Sequence, residues 1–115
     1  MSYKTQIMSK GGGVYIITNK NRTVLYIGVT SNIMQRMYQH KKALIEGFAK
    51  KWNCIDLLYF EGHWDITDAI ASEKRMKKWK REWKLELIKN DNPDLVDLSK
   101  DWFDENGELK NVDWS

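Results

Sequence analysis

The sequence predicts an α/β (α+β) domain in which a small β-sheet is flanked by helices. Three observations predict this fold: β-branched and aromatic runs at three places, apolar residues at helical spacing around them, and a length of 115 residues, which suits one domain. Hydrophobic residues make up 42% of the chain and charged residues 30%, as in an ordinary globular protein. We therefore expect a single domain over residues 1–115.

The first two strands are expected to form a hairpin. Gly13–Thr18 and Thr23–Val29 are rich in β-branched and aromatic residues, and the asparagines between them suit a turn. If that turn is symmetric about its two central residues, Tyr15 lies opposite Tyr26 on one face of the sheet. The two hydroxyls would then converge on one ligand, although strand tyrosines also serve as core or surface residues. Gly28 suggests close approach of another group.

A first helix is expected to follow the hairpin. Thr30, Ser31 and Asn32 are good helix caps, and apolar residues then recur at helical spacing up to Gly47; they are Ile33, Met37 and Leu44. Arg36 and His40 are one helical turn apart and flank this apolar stripe. An arginine can bind a phosphate through its planar fork, and a histidine can exchange a proton near neutral pH. Both are also common as solvated helix residues.

The second half of the chain predicts one more strand and two helices. Cys54–Phe60 is the third β-rich run. Asp65 or Thr67 caps a long helix that extends to about Arg81, and a further short helix precedes Pro93.

Glu73 falls on the side of the long helix that is expected to pack on the sheet. It shares this side with apolar residues at offsets of three, four and seven positions, namely Ile66, Ala69, Ile70 and Met76. A carboxylate in that position requires a cation or hydrogen-bond donors. The partner is either a metal ion or a basic side chain.

The first part of the chain is basic and the last part is acidic. Up to Asn90 there are 17 Lys and Arg against 8 Asp and Glu, a net +9, and from Asp91 onward there are 2 against 8, a net −6. A basic body suits a polyanion such as nucleic acid, although lysines and arginines also solvate helix surfaces. The candidate nucleic-acid-binding residues lie in and just after the long helix: Lys74, Lys77, Lys78, Lys80 and Arg81.

These residues together resemble a known family. Gly13-Val14-Tyr15, Tyr26-Ile27-Gly28, Arg36 with His40, and then Glu73 are similar to the motifs of the GIY-YIG nuclease superfamily. The resemblance covers Gly12 to Leu98. Around residues 71–79, the chain most resembles the short stand-alone bacterial members of the family. These members are similar to the N-terminal nuclease domain of the excision-repair nuclease subunit. It implies a small three-stranded antiparallel sheet flanked by helices. The acidic residues after this region predict a tail over residues 99–115, which either lies against the basic helix as a charge shield or completes the core.

The resemblance also implies an activity. Family members hydrolyse phosphodiester bonds in nucleic acid, here expected to be DNA, and leave 5′-phosphate and 3′-hydroxyl ends. Glu73 would be the only protein ligand of one Mg²⁺ or Mn²⁺ ion. Tyr15 would act as the general base, and Arg36 would neutralise charge on the phosphate. His40 would either assist the base or orient the phosphate. Tyr26 would help to position the phosphate.

The chain departs from the family pattern at two places. Val14 replaces the isoleucine of the first motif, which preserves a β-branched strand residue. Leu95 stands where close relatives have a tryptophan, in a segment where many members have a functional asparagine. Asn92 is therefore a candidate catalytic residue, although a turn before Pro93 explains it equally well.

Two other classes of function remain open. One is a non-catalytic nucleic-acid-binding module on the same fold. The other is a protein-interaction domain that uses its tryptophans as anchors, although we expect most of them to pack in the core; they are Trp52, Trp64, Trp79, Trp83, Trp102 and Trp114. A protein partner that supplies specificity is also compatible with so short a chain. Without a signal-peptide or membrane-spanning pattern, and with a single cysteine, we expect a cytoplasmic location and no membrane partner.

Overall fold

The computed structural model describes residues 11–110 and contains three strands. They form an antiparallel sheet in the order β2-β1-β3, so β1 is central. The prediction of a small three-stranded antiparallel sheet flanked by helices is confirmed. The elements are β1 (Gly12–Thr18), β2 (Leu25–Thr30), α1 (Ile33–Lys41), α2 (Phe48–Lys51), β3 (Asp56–His63), α3 (Ile66–Lys77), α4 (Arg81–Asp91) and a 3-10 turn (Lys100–Trp102). Within residues 11–110 no helix is long and apolar enough to cross a membrane.

The central strand is buried along its whole length because both faces of the sheet are covered. The first face carries Val14 and Ile16 and packs against α3 and α4. The second face carries Tyr15 and Ile17 and packs against α1, α2 and the C-terminal segment. Successive side chains of a strand point to opposite faces, so β1 supplies alternate residues to each of two hydrophobic clusters.

The hairpin register differs from the prediction by two residues. Tyr15 lies opposite Gly28, and not opposite Tyr26. The loop is longer than a symmetric two-residue turn: the Asn19 side chain accepts hydrogen bonds from two backbone N–H groups of the loop, at 2.8 and 3.1 Å, and Arg22 adopts φ 59°. Because side chains alternate with period two, a shift of two residues leaves both tyrosines on the same face.

The first helix is shorter than predicted and ends at Lys41. Ala43 adopts φ 56°, and its N–H donates to the His40 carbonyl at 3.1 Å, which closes the last turn. Leu44 was predicted to belong to the apolar stripe, but it lies beyond the helix and is 62% exposed. Glycine usually occupies such a left-handed position, so an alanine gave no signal in the sequence.

Both helices predicted in this part of the chain are present, but the long basic helix ends at Lys77 and not at about Arg81. The second helix, α4, begins at Arg81 after Lys80, which has an extended backbone at φ −63° and ψ 154°. Trp79 is half-buried against the cluster on the first face, so apolar burial accounts for the change of direction. Asp65 caps the start of α3 by accepting a hydrogen bond from the Thr67 N–H at 2.9 Å.

The hydrophobic core continues past residue 98, where the acidic tail was expected to begin. Phe103 is 9% exposed and pairs with Leu109, and both pack on the second face. Glu108 forms an ion pair with Lys42 near the end of α1 at 2.9 Å. The segment 99–110 therefore docks on α1, which agrees with the alternative that it completes the core and not with a charge shield on the basic part of α3. Residues 111–115, with Trp114, lie outside the described residues.

Removal of residues 105–115 is expected to lower the free energy of unfolding by about 1 kcal/mol, because it exposes the apolar surface that Leu109 covers. Chemical denaturation of the full and shortened chains measures this difference. The control is Lys42→Gln, which removes only the surface contacts of one ammonium with Glu108, the Asn106 carbonyl and the Tyr38 ring, and should have little effect. Equal stabilities of the full and shortened chains would show that the segment contributes nothing to the core.

Candidate active site

Four of the predicted site residues meet on the second face of the sheet. The Tyr15 hydroxyl oxygen lies 2.9 Å from His40 Nε2, and Arg36 Nη1 donates to the same oxygen at 3.4 Å. The Tyr26 ring centroid lies 6.4 Å from that of Tyr15 and 6.0 Å from that of His40. We call these four residues the polar cluster.

Local structure explains how the polar cluster is built. The side chain of Asn32 caps α1 by accepting from the Gln35 N–H at 3.1 Å, so Arg36 and His40 follow one turn apart on a fixed helix. Opposite Tyr15, a Cβ atom at Gly28 would lie 2.4 Å from the phenol oxygen. Only glycine leaves room there for the Tyr15 ring, which is the close approach that a glycine in a strand indicates.

Burial sets the protonation states of the cluster. Tyr15 is completely buried, and burial raises the pKa of its phenol to about 12; Tyr26 and Glu73 add to this effect and Arg36 opposes it. His40 is 5% exposed, and burial together with the nearby Arg36 charge lowers its pKa to about 4. At neutral pH the phenol is therefore protonated and the imidazole is neutral.

These states fix the direction of the hydrogen bonds. A guanidinium can only donate, so the Tyr15 oxygen accepts from Arg36. The phenol proton then points to His40, whose neutral Nε2 accepts it, and the imidazole proton is assigned to Nδ1. The arrangement is a buried hydroxyl held between a cation and a proton acceptor.

Glu73 lies on α3, and its charge acts on the polar cluster. Its side chain is 17% exposed and forms an ion pair with Lys77 at 3.1 Å, and its charge is close enough to raise the pKa of Tyr15. The predicted packing face of α3 is only partly correct, because Ala69 is buried while Ile70 is 38% exposed. The prediction that Glu73 needs a cationic partner is met here by a lysine.

The donor set at Glu73 is compatible with a magnesium ion. Within residues 11–110 no three His, Cys, Asp or Glu side chains form a group that could hold a metal. Mg²⁺ commonly binds one or two carboxylates and keeps several waters, so one carboxylate is sufficient. Lys77 is 52% exposed, so its ammonium can leave the carboxylate for solvent at small cost.

Comparison with known proteins identifies the family. The family model described as "GIY-YIG catalytic domain" matches residues 11–86, a range that contains the polar cluster and Glu73. The chain belongs to the GIY-YIG family. GIY-YIG catalytic domains are endonuclease domains, which implies a nucleic acid substrate.

Two curated relatives support the same assignment. A "UPF0213 protein" of Pediococcus pentosaceus is 29% identical over 84 residues, which cover 73% of this chain and 87% of that protein. A "UPF0213 protein in ldhD 5′region" of Pediococcus acidilactici is 32% identical over 78 residues, which cover 66% of this chain and 79% of that protein. No solved structure matches. These short relatives agree with the resemblance to stand-alone GIY-YIG proteins.

Asn92 is the candidate catalytic residue that the structure does not bring to the polar cluster. It lies beyond the residues that match the GIY-YIG family and is 4% exposed. Its amide donates to the carbonyls of Leu58 and Val96 at 3.1 and 2.9 Å and accepts from the Val96 N–H at 3.1 Å. Asn92 thus ties the end of α4 to β3, in agreement with the alternative that it forms a turn before Pro93.

The candidate nucleic-acid-binding residues are all exposed, but three of them have partners. Lys77 pairs with Glu73, Lys80 lies 5.9 Å from the centroid of the Trp83 ring, and Arg81 donates to the Arg22 carbonyl at 3.1 Å. These contacts leave the positive charges at the surface. The junction of α3 and α4 in this GIY-YIG domain is therefore cationic.

The aromatic residues beside the cluster were not predicted as functional. Most tryptophans were expected to pack in the core, yet three of the five within residues 11–110 are about half exposed or more: Trp52, Trp64 and Trp83. Phe48 also extends the polar cluster, because its ring stacks on Tyr26 with centroids 6.1 Å apart. The spacing of Phe48 and Trp52, four residues apart, indicates that these two rings are neighbours, but the contact of Phe48 with Tyr26 arises only from tertiary packing.

Proposed function

We propose that this chain is a metal-dependent endonuclease that hydrolyses phosphodiester bonds in DNA and leaves 5′-phosphate and 3′-hydroxyl ends. The observation that carries the proposal is the buried Tyr15 hydroxyl, which lies between the Arg36 guanidinium and the neutral His40 imidazole. Hydrolysis of a phosphodiester requires removal of a proton from water and stabilisation of negative charge on phosphate. This cluster offers groups for both tasks.

Tyr15 and His40 together supply the general base. A phenol with a pKa of about 12 keeps its proton at neutral pH, so it accepts a proton from water only if it passes its own proton on. His40 Nε2 is the acceptor, 2.9 Å away, and its lowered pKa keeps it neutral. The proton of the attacking water thus moves to the Tyr15 oxygen while the phenol proton moves to His40.

Arg36 would couple the binding of the phosphate to the exposure of the Tyr15 hydroxyl. Its guanidinium donates to the Tyr15 oxygen, and Nη1 also lies 3.5 Å from the Val29 carbonyl. Both contacts are long, whereas a phosphate offers two charged oxygens in a bidentate arrangement. A substrate phosphate therefore draws Arg36 towards itself and uncovers the phenol oxygen to the attacking water.

Glu73 would hold the divalent ion, Mg²⁺ or Mn²⁺, in place of the Lys77 ammonium. When bound, the ion supplies positive charge that polarises the phosphate and stabilises the leaving oxygen. The Tyr26 ring lies beside the rings of Tyr15 and His40, and its hydroxyl would orient the phosphate. The cationic junction of α3 and α4 would bind the phosphates that flank the cleaved bond, with Lys74 and Lys78 at its exposed surface.

Cleavage assays on labelled DNA and RNA test the proposal. Single-stranded, duplex, flap and branched substrates are incubated with Mg²⁺ or Mn²⁺, with and without EDTA. We expect cleavage of DNA that depends on the metal and gives 5′-phosphate and 3′-hydroxyl termini. Binding of DNA without cleavage in either metal would favour a non-catalytic nucleic-acid-binding module. Absence of both binding and cleavage at low salt would favour a protein-interaction domain.

A further inference from the structure

A row of aromatic rings leads from the polar cluster to the protein surface. Phe48 stacks on Tyr26 at 6.1 Å with an interplanar angle of 21°, and Trp52 follows Phe48 at 6.2 Å. Phe48 is 49% exposed and Trp52 is 47% exposed. We call Tyr26, Phe48 and Trp52 the aromatic row. Its inner member contacts the candidate catalytic residues, and its outer members present apolar surface to solvent.

The backbone holds the outer members of the row in place. Gly47 is the residue directly before the short helix α2, and it adopts φ 128°, a value that side-chain-bearing residues rarely adopt. After the helix, Asn53 adopts φ 56° and the Cys54 N–H donates to the Ala49 carbonyl at 2.8 Å. Ala49 and Cys54 are buried, which anchors α2 to the second face of the sheet. Because Ala49 and Cys54 hold α2 against the sheet, the side chains of Phe48 and Trp52 remain exposed to solvent.

Positive charge accompanies the row. The Lys51 ammonium lies 5.6 Å from the centroid of the Trp52 ring. Lys50 is the neighbouring cation, and its charge is balanced by Glu46 at 2.7 Å. An aromatic surface with an adjacent cation is the combination that binds single-stranded nucleic acid, because bases stack on the rings while the cation attracts the backbone.

We propose that Phe48 and Trp52 form a stacking platform for unpaired nucleobases next to the cleaved phosphate. This proposal rests on the proposed nuclease function and names its substrate class: nucleic acid with single-stranded nucleotides beside the scissile bond. A base inside a duplex is already stacked on both sides, so it cannot lie on the platform without leaving the helix. Continuity with Tyr26 favours a nucleic acid over a protein as the occupant.

Binding measurements without catalysis test the platform. Fluorescence anisotropy in EDTA compares a labelled single-stranded oligothymidylate with a duplex of the same length. Trp52→Ala and Phe48→Ala are each expected to weaken binding of the single strand about 10-fold, as for loss of one stacked base, and to change duplex binding less than about 2-fold. The salt dependence of the single-strand affinity should keep its slope, since neither variant removes a cation.

The chain offers a matched control. Trp64 is 77% exposed and directly follows β3, which lies on the opposite edge of the sheet from β2 and Tyr26. Trp64→Ala should therefore bind the single strand like the original chain. Trp52→Phe retains an aromatic face and should recover most of the affinity. Thermal melting of each variant checks that the fold is retained.

Several results would overturn the platform. These are unchanged single-strand binding by both alanine variants, an equal loss for single strand and duplex, or an equal loss for Trp64→Ala. Retained nucleic acid binding together with loss of a co-purified protein in Trp52→Ala would assign the surface to a protein partner. Failure of the platform leaves metal-dependent cleavage by the original chain intact. Failure of the proposed function appears instead as lack of cleavage by the original chain with every substrate.

Discussion

Glu73→Gln is expected to abolish cleavage while the protein remains folded. The substitution preserves the size of a side chain that is 17% exposed, but it removes the only carboxylate proposed to bind the divalent ion. Loss of the ion's charge at the phosphate removes several kcal/mol of transition-state stabilisation, and so lowers the rate by about 1000-fold or more. The measurement is single-turnover cleavage in Mg²⁺, together with Mn²⁺ binding followed by electron paramagnetic resonance.

The matched control is Glu82→Gln, which removes the same charge from an exposed position at the start of α4. It should cleave and bind Mn²⁺ like the original chain. Glu73→Gln should melt close to the original chain, because the ion pair that it loses is with a half-exposed lysine. If Glu73→Gln bound Mn²⁺ normally, or cleaved at the original rate, the assignment of the metal ligand would be wrong.

Tyr15→Phe is expected to lower turnover about 100-fold with little change in nucleic acid affinity. The ring remains in place opposite Gly28, and only the hydroxyl between Arg36 and His40 is lost. Because Tyr15 is completely buried, its hydroxyl contributes to the reaction and not to the surface that binds nucleic acid. Arg36→Ala should likewise lower turnover more than affinity. Cleavage rates and anisotropy binding curves separate the two quantities.

Tyr38→Phe provides the control, since it removes a hydroxyl that donates to Glu108 on the exposed side of α1. Its turnover should not change. The pKa of His40 is lowered to about 4, so its role as proton acceptor is present throughout the neutral range and is lost as the pH falls towards that value. Normal turnover in Tyr15→Phe, or a loss of binding in place of a loss of turnover, would make Tyr15 a structural or recognition residue.

The polar cluster shows which features of the site local sequence patterns can predict. Alternation along strands placed Tyr15 and Tyr26 on one face, and helical spacing placed Arg36 and His40 one turn apart. The exact register was wrong, because it depends on how the Asn19 side chain folds the loop, but an error of two residues does not change the face. The contact of Tyr15 with His40 joins residues 25 positions apart and arises from the packing of α1 on the sheet.

Other features depend on burial between segments that are distant in sequence, which no local sequence pattern predicts. Asn92 resembled a functional residue in the sequence. In the structure its side-chain amide donates to the Leu58 carbonyl of β3, a contact that only the folded chain reveals. The sequence left open whether the acidic tail shields the basic helix or completes the core, and Phe103 and Leu109 dock it on the second face. Apolar burial thus decided where the segment lies, and its Glu108 then pairs with Lys42.

The sequence by itself determined the three strands, the main helices, the family motifs and the basic character of the body, because propensity, periodicity and charge are properties of neighbouring residues. The tertiary structure decided the end of α1 at Lys41, the end of α3 at Lys77, the protonation of Tyr15 and His40, and the aromatic row on α2. These features depend on which distant surfaces exclude water from one another. Desolvation and packing act between segments that only the folded chain brings together.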